Sequence, residues 1–130
     1  MPSVFTRIVR REIPADIVAE NEHFLAFLDI NPLARGHVLV IPKKEVDYLF
    51  DLDDETLQLL FLFCKRVARA IEAVVPCKRI GVAVVGLEVP HAHVHLVPLQ
   101  QVDDINFSRP RVRLSPAEFK ELAAAIAAKC

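Results

Sequence analysis

The chain has 130 residues, of which 53% are hydrophobic and 25% charged, enough to enclose one core and too few for a second full domain. Lys plus Arg total 16 against 17 for Asp plus Glu, a net charge of -1, so no single-sign field is available to gather nucleic acid or an anionic membrane surface. The longest apolar runs, Leu59 to Cys64 and Leu122 to Ala128, fall far short of the roughly 20 residues that cross a bilayer.

Arg7, Arg10, Arg11 and Glu12 interrupt any apolar stretch near the N-terminus, so no secretory leader is expected. Cys64, Cys77 and Cys130 are an odd number of cysteines at wide spacing, a pattern that suits reduced thiols and offers no cysteine zinc site. The expectation is a soluble, cytoplasmic protein. No repeat or linker interrupts Phe5 to Leu122, so one domain over residues 1–130 is the simplest organisation.

In chain order, His23 to Ile30 and His37 to Ile41 are rich in β-branched, aromatic and other apolar residues. They predict two strands joined by a turn around Leu33 to Gly36. From Asp51 to Val75, Leu57, Leu60, Phe61, Cys64, Val67, Ala68, Ile71 and Val74 recur at helical steps behind Asp53, Asp54 and Glu55. This is a long amphipathic helix with an acidic first turn, stopped by Pro76. Ile80 to Val85 and His91 to Val97 are two further strands around Gly86 and Pro90. Ser115-Pro116-Ala117-Glu118 combines a capping box with proline at the first helical position, so a last helix runs from about Pro116 to Ala128. Strands and helices in blocks give an α+β class with a mainly antiparallel sheet.

Three of the five histidines fall at alternating positions, His91, His93 and His95. In a strand they share one face, opposite Ala92, Val94 and Leu96. A lone histidine is commonly a satisfied core residue, and an alternating polar face can be the wet side of a sheet. Three imidazoles with nothing else between them point instead to chemistry, since each carries a donor and an acceptor that packing alone would waste. A single metal is a poor fit to all three, because positions i and i+4 of a strand are about 13 Å apart. Two of them with another ligand could hold one, though no HExxH helix or local acid cluster completes a site. The other reading is nucleophilic catalysis, with the middle ring attacking phosphorus and its neighbours donating to phosphate oxygens.

The segment Gly86-Leu87-Glu88-Val89-Pro90-His91-Ala92-His93-Val94-His95-Leu96-Val97-Pro98 resembles the signature of the histidine-triad (HIT) nucleotide hydrolases and transferases, in the Hint branch. Ser3 to Ala15, Leu25 to Pro32 and Gly36 to Lys44 resemble the family's other blocks in the same order, so the motif-matching core covers residues 3–99. The resemblance implies a five-stranded antiparallel sheet, one long central helix and a C-terminal helix. It also implies a homodimer paired through the long helix and an edge strand, which agrees with the nearly all-round apolar run Leu59-Leu60-Phe61-Leu62-Phe63.

The same resemblance implies a purine nucleoside monophosphate ligand. Its base would lie in an apolar slot of Val4, Phe5, Ile8, Phe27 and Ile30, with Asp29 accepting from the ribose hydroxyls and Gly86, Leu87 and Glu88 near the phosphate. His93 would be the nucleophile and His95 a phosphate donor, with His91 and His37 supporting charge and tautomer. No cofactor enters these steps. On residue type alone, Phe5, Ile8, Phe27 and Ile30 read as ordinary core and Asp29 as a turn residue before Asn31-Pro32. His23 matches no family position.

This chain departs from the family in places. Leu87 and Glu88 stand where relatives often carry Gln and Ser, and Leu99 where an arginine often follows the triad's proline. The segment before Gly86 is short. Ser3 and Thr6 replace two cysteines of the zinc-binding relatives, so their structural zinc is not expected. The leading expectation is a phosphoramidase-type nucleotide hydrolase. A nucleotide-binding or regulatory protein with little turnover comes second, and a metal-dependent hydrolase third.

Overall fold

Alternation along a central hairpin divides the interior into two layers, because each strand residue sends its side chain to the face opposite its neighbour's. The computed structural model describes residues 1–130. Its elements are α1 (Val4–Val9), β1 (Ile17–Glu20), β2 (Phe24–Leu28), β3 (Val38–Pro42), α2 (Asp54–Val74), β4 (Arg79–Ala83), β5 (Val94–Leu99) and α3 (Pro116–Ala127), with short 3-10 turns at Leu49–Asp51 and Val102–Ile105. The five strands are ordered β1-β2-β3-β5-β4, and each neighbouring pair is antiparallel. This is the α+β class that the strand and helix patterns predict, with the five-stranded antiparallel sheet that the family resemblance implies.

Every residue of β2 and β3 is buried. On one face, Ala26, Leu28, Val38, Val40, Val94 and Leu96 pack against α2 and α3. On the other, Leu25, Phe27, Leu39 and Ile41 pack against Phe5 and Ile8 of α1. A cleft opens on this second, smaller layer.

The turn between β2 and β3 requires Gly36. Its φ is +96°, and an added Cβ would lie 2.9 Å from Val75 Cγ2 and 3.2 Å from Pro98 Cγ. That tight turn delivers His37 to the head of β3. The Asp53 side chain caps α2 by accepting from the Thr56 N–H, and the helix buries Leu60, Phe63, Cys64, Val67, Ala70 and Ile71. Leu59 and Leu62 on the same helix remain 41% and 63% exposed. The capping box of Ser115 and Glu118 and the proline at the start of α3 are present as expected. No helix is long and apolar enough to cross a membrane.

The structure adds two elements that periodicity does not show. Helix α1 has six residues and β1 has four, each shorter than the window in which a period becomes visible. It also moves several boundaries, and β2 ends at Leu28 rather than Ile30. The 3-10 turn at Leu49–Asp51 is separate from α2, β4 stops at Ala83, and β5 begins at Val94 rather than His91. Residues 91–93 lie ahead of the ladder because their backbone is held elsewhere, with Ala92 N–H donating to Val46 O at 2.7 Å. The alternation survives this: Ala92, Val94 and Leu96 all enter the core.

Candidate active site

All four predicted histidines are buried, His37 and His91 completely. Far from forming a wet sheet face, they are held by hydrogen bonds that end on backbone groups, and those ends decide which nitrogen carries each proton. His93 Nδ1 is 2.7 Å from the carbonyl oxygen of His91. A carbonyl only accepts, so Nδ1 is protonated and Nε2 keeps its lone pair. The ring stands edge-on to Phe5 at 5.0 Å between centroids and to His95 at 5.0 Å, which fixes its plane.

A second chain of bonds fixes His95 with the opposite outcome. The Leu33 N–H donates to His37 Nδ1 at 3.0 Å, so the proton of His37 is on Nε2. That Nε2 is 3.0 Å from His95 Nδ1, which accepts it and leaves the His95 proton on Nε2. Adjacent rings thus present a lone pair and a donor.

His91 faces away from this pair. Its Nε2 donates to Pro42 O at 2.7 Å, and its Nδ1 accepts from Ser3 Oγ at 2.8 Å. Ser3 Oγ also accepts from the Thr6 N–H as the N-cap of α1, while Thr6 Oγ1 and the Ser3 N–H both donate to Glu45 Oε1 at 2.6 Å. One network therefore ties α1 to the residue whose carbonyl holds His93.

Burial is the main cause of the electrostatics. It pushes His37 down to about 3 and His95 down to about 4, with nearby positive charge adding to the effect. It lowers His91 as well, against the pull of Pro42 O. These three rings are neutral at pH 7. Asp29 is raised, first by burial, and this is opposed by the Asn31 N–H and by Arg111. Its Oδ1 accepts from Asn31 N–H at 2.8 Å, so the turn role expected from Asn31-Pro32 is real. Oδ2 makes no hydrogen bond and lies 3.6 Å from His37 Nε2.

A cavity of about 570 Å³ opens in front of the rings, within the size range of small-molecule sites. Its lining includes Val4, Phe5, Ile8, Phe27, Asp29, Ile30, Gly86, Leu87, Glu88, His93 and His95. The segments that resemble family blocks, far apart in sequence, therefore meet here. His37 and His91 do not line it; they stand behind His95 and His93 as supports. Leu87 is 87% exposed at the rim.

Phe107 and Arg111 also line the cavity, and sequence reasoning missed both. They lie beyond the motif-matching core in a stretch with no regular structure, and no local pattern marks them. The Phe107 ring stands edge-on to His95 at 4.7 Å. Ile13, Ala15 and Val89 extend the apolar wall.

Asp29, His37 and His95 place one potential ligand atom each within 4.8 Å of one another, an acid–histidine grouping not visible along the chain. Direct hydrogen bonding accounts for it, since both nitrogens of His37 and Nδ1 of His95 are already engaged.

The HIT domain pattern matches residues 10–102. The chain belongs to the HIT family. Among its relatives is the adenosine 5'-monophosphoramidase of Schizosaccharomyces pombe, 33% identical over 99% of this chain and 98% of that protein. An uncharacterized HIT-like protein of Borreliella burgdorferi is 34% identical over 92% of each chain. Among solved structures, a Hit-like protein involved in cell-cycle regulation from Bartonella henselae superposes with a TM-score of 0.84 at 30% identity, covering 98% of this chain and 96% of that one. A zinc-bound histidine triad family protein from Mycobacterium smegmatis superposes at 0.81 with 32% identity, covering 97% and 91%. At family level, this HIT protein is a hydrolase-type enzyme of the nucleotide-binding kind.

The donor set around His91 does not fit a zinc–thiolate centre. Ser3 and Thr6 offer hydroxyls rather than thiolates. Ser3 Oγ is spent on His91 Nδ1, and Thr6 Oγ1 on Glu45. In this HIT protein the same corner is closed by hydrogen bonds.

Proposed function

We propose that this protein hydrolyses a purine nucleoside 5'-phosphoramidate, or a related nucleoside monophosphate conjugate, through a nucleotidyl intermediate on His93. The observation that carries the reading is the 2.7 Å contact of His93 Nδ1 with the His91 carbonyl, which leaves Nε2 unprotonated in a ring that lines the cavity. The Nε2 lone pair attacks phosphorus, the phosphorus–nitrogen bond breaks, and the amine leaves with a solvent proton. Water then attacks the same phosphorus and gives up a proton to solvent. The bond to Nε2 breaks, returning neutral His93 and nucleoside monophosphate. The His91 carbonyl stabilises the positive ring of the intermediate, and Nε2–H of His95 donates to phosphoryl oxygen.

Val4, Phe5, Ile8, Phe27 and Ile30 receive the base in this account, and Asp29 Oδ2 accepts from ribose. Gly86, Leu87 and Glu88 form the rim over the phosphate. No cofactor takes part in these steps. We infer that residues 1–130 act as one unit and that it works in the cytoplasm, consistent with its three free cysteines. A homodimer is supported by the open edge of β4 and by the exposed Leu59, Phe61 and Leu62 of α2.

The direct test supplies adenosine and guanosine 5'-phosphoramidates and measures release of ammonia with nucleoside monophosphate. Release is expected. Tight binding without release would favour the binding-protein reading, for which the non-donating Leu87 and the anionic Glu88 at the rim are the specific features.

A further inference from the structure

The cavity is short of positive charge for a ligand that carries a phosphate. Its lining includes two carboxylates, Asp29 and Glu88, and one cation, Arg111. The buried rings do not supply the charge, because His95 in the lining and His37 behind it are held neutral. Leu87 supplies no side-chain donor, and a carboxylate at Glu88 repels phosphate. Beyond the neutral His95 Nε2–H donor, these residues offer an anion no positive charge except Arg111.

Arg111 is built for that role. Its backbone belongs to the stretch that crosses from the 3-10 turn at Val102–Ile105 towards α3, and the Val112 N–H ties that stretch to Pro32 O at 2.9 Å. Nη1 of Arg111 donates to Asn31 O at 3.0 Å, and Nη2 donates to Phe107 O at 3.3 Å. The guanidinium carbon sits 5.6 Å from the centre of the Phe107 ring, and that ring is the one packed edge-on against His95. Two carbonyls and one aromatic face thus hold the group beside the catalytic rings while leaving three of its five N–H donors unspent. Arg109, two residues earlier, is paired with Asp103 and Asp104. Arg111 has no carboxylate partner. A half-buried, oriented and unpaired guanidinium lining a cavity is a preorganised anion contact, because its orientation is settled before ligand arrives.

We propose that Arg111 binds the non-bridging phosphoryl oxygens of the nucleotide, supplying from the C-terminal segment the charge that the glycine–histidine segment lacks. The proposal rests on the nucleotide reading given above. The field of the guanidinium already reaches Asp29, His37 and His95, each of which is shifted by it. Arg111 then serves both the resting complex and the displacement, in which charge builds on those same oxygens.

The test compares Arg111→Gln and Arg111→Lys with wild type, using adenosine and guanosine 5'-monophosphates beside the matching nucleosides. Calorimetry gives affinities, and steady-state kinetics on the phosphoramidates separate kcat from KM. Arg111→Gln should bind monophosphate about 10-fold more weakly or worse, with nucleoside affinity unchanged. Arg111→Lys should recover part of the loss, since charge returns without the planar fork. Both variants keep the anchoring segment through the Val112 bond, and Arg111→Lys is the milder change if the first variant melts early. Equal weakening of monophosphate and nucleoside would overturn the proposal and leave Arg111 as a wall of the pocket. Unchanged monophosphate affinity in both variants would overturn it as well. Failure of the wild-type protein to prefer monophosphate over nucleoside would remove the nucleotide reading itself, and is seen without any variant.

Discussion

His37 Nε2 and His95 Nδ1 lie 3.0 Å apart in a pair shielded from solvent, so one neutral imidazole donates to another and neither can take a second proton without loss. Burial holds them at about 3 and about 4, against an ordinary value of 6.5. Between about 6.5 and about 4 the unfolded chain therefore binds protons that the folded chain refuses, and stability falls as the pH drops through that window. Melting at pH 7 and at pH 5 should show the loss, and His37→Gln should flatten the slope by removing one of the two groups. A midpoint independent of pH across this range would contradict the neutral pair.

Ser3 has two tasks, capping α1 and donating to His91 Nδ1. Ser3→Ala removes the cap and leaves a buried nitrogen without its partner, at a cost of about 1–3 kcal/mol. Denaturant unfolding measures this directly. A change within experimental error would show that solvent replaces the hydroxyl and that the corner does not hold α1.

Leu62 is 63% exposed on α2, far more than a helix packed on one sheet needs to show of a large apolar side chain. In the proposed dimer it is covered by the second copy. Leu62→Glu should shift the mass in solution from dimer to monomer at micromolar concentration, as measured by light scattering. A wild-type protein already monomeric under those conditions would remove the dimer.

Asp29 Oδ1 accepts from the turn at Asn31, and the residue also lines the cavity. Asp29→Ala should weaken nucleoside monophosphate binding by about 1–3 kcal/mol when ribose hydroxyls are present, and much less for the dideoxy ligand. Titration calorimetry with both ligands makes the comparison. Equal weakening would assign Asp29 wholly to the turn.

The sequence makes the central hairpin, α2, α3 and the alternating histidines legible because each carries its own local signal: strong period, a proline stop, a capping box. Helix α1 has signals that were within reach, a Ser3 cap followed by Phe5, Ile8 and Val9 at helical spacing, but six residues are too few for periodicity to separate from chance. The strand boundary at His91 is not legible, because what ends the ladder there is a bond from Ala92 to Val46 across the fold. Phe5, Ile8, Phe27 and Ile30 look like plain core in isolation, although Ile30 is 79% exposed, and the family resemblance is what grouped them with Val4. Phe107 and Arg111 lie outside the resembling segments, and only the path of the chain after β5 brings them to the cavity.

His93 carries the proposed chemistry most directly. Its Nδ1 is tied to His91 O, while the residues proposed to contact base and ribose lie on α1, β2 and the turn after it. His93→Ala should therefore lose phosphoramidate turnover by several orders of magnitude while still binding nucleoside monophosphate. Turnover and binding measured on the same purified preparation give the answer. Wild-type hydrolysis by His93→Ala would contradict the covalent route and return the histidines to a binding role.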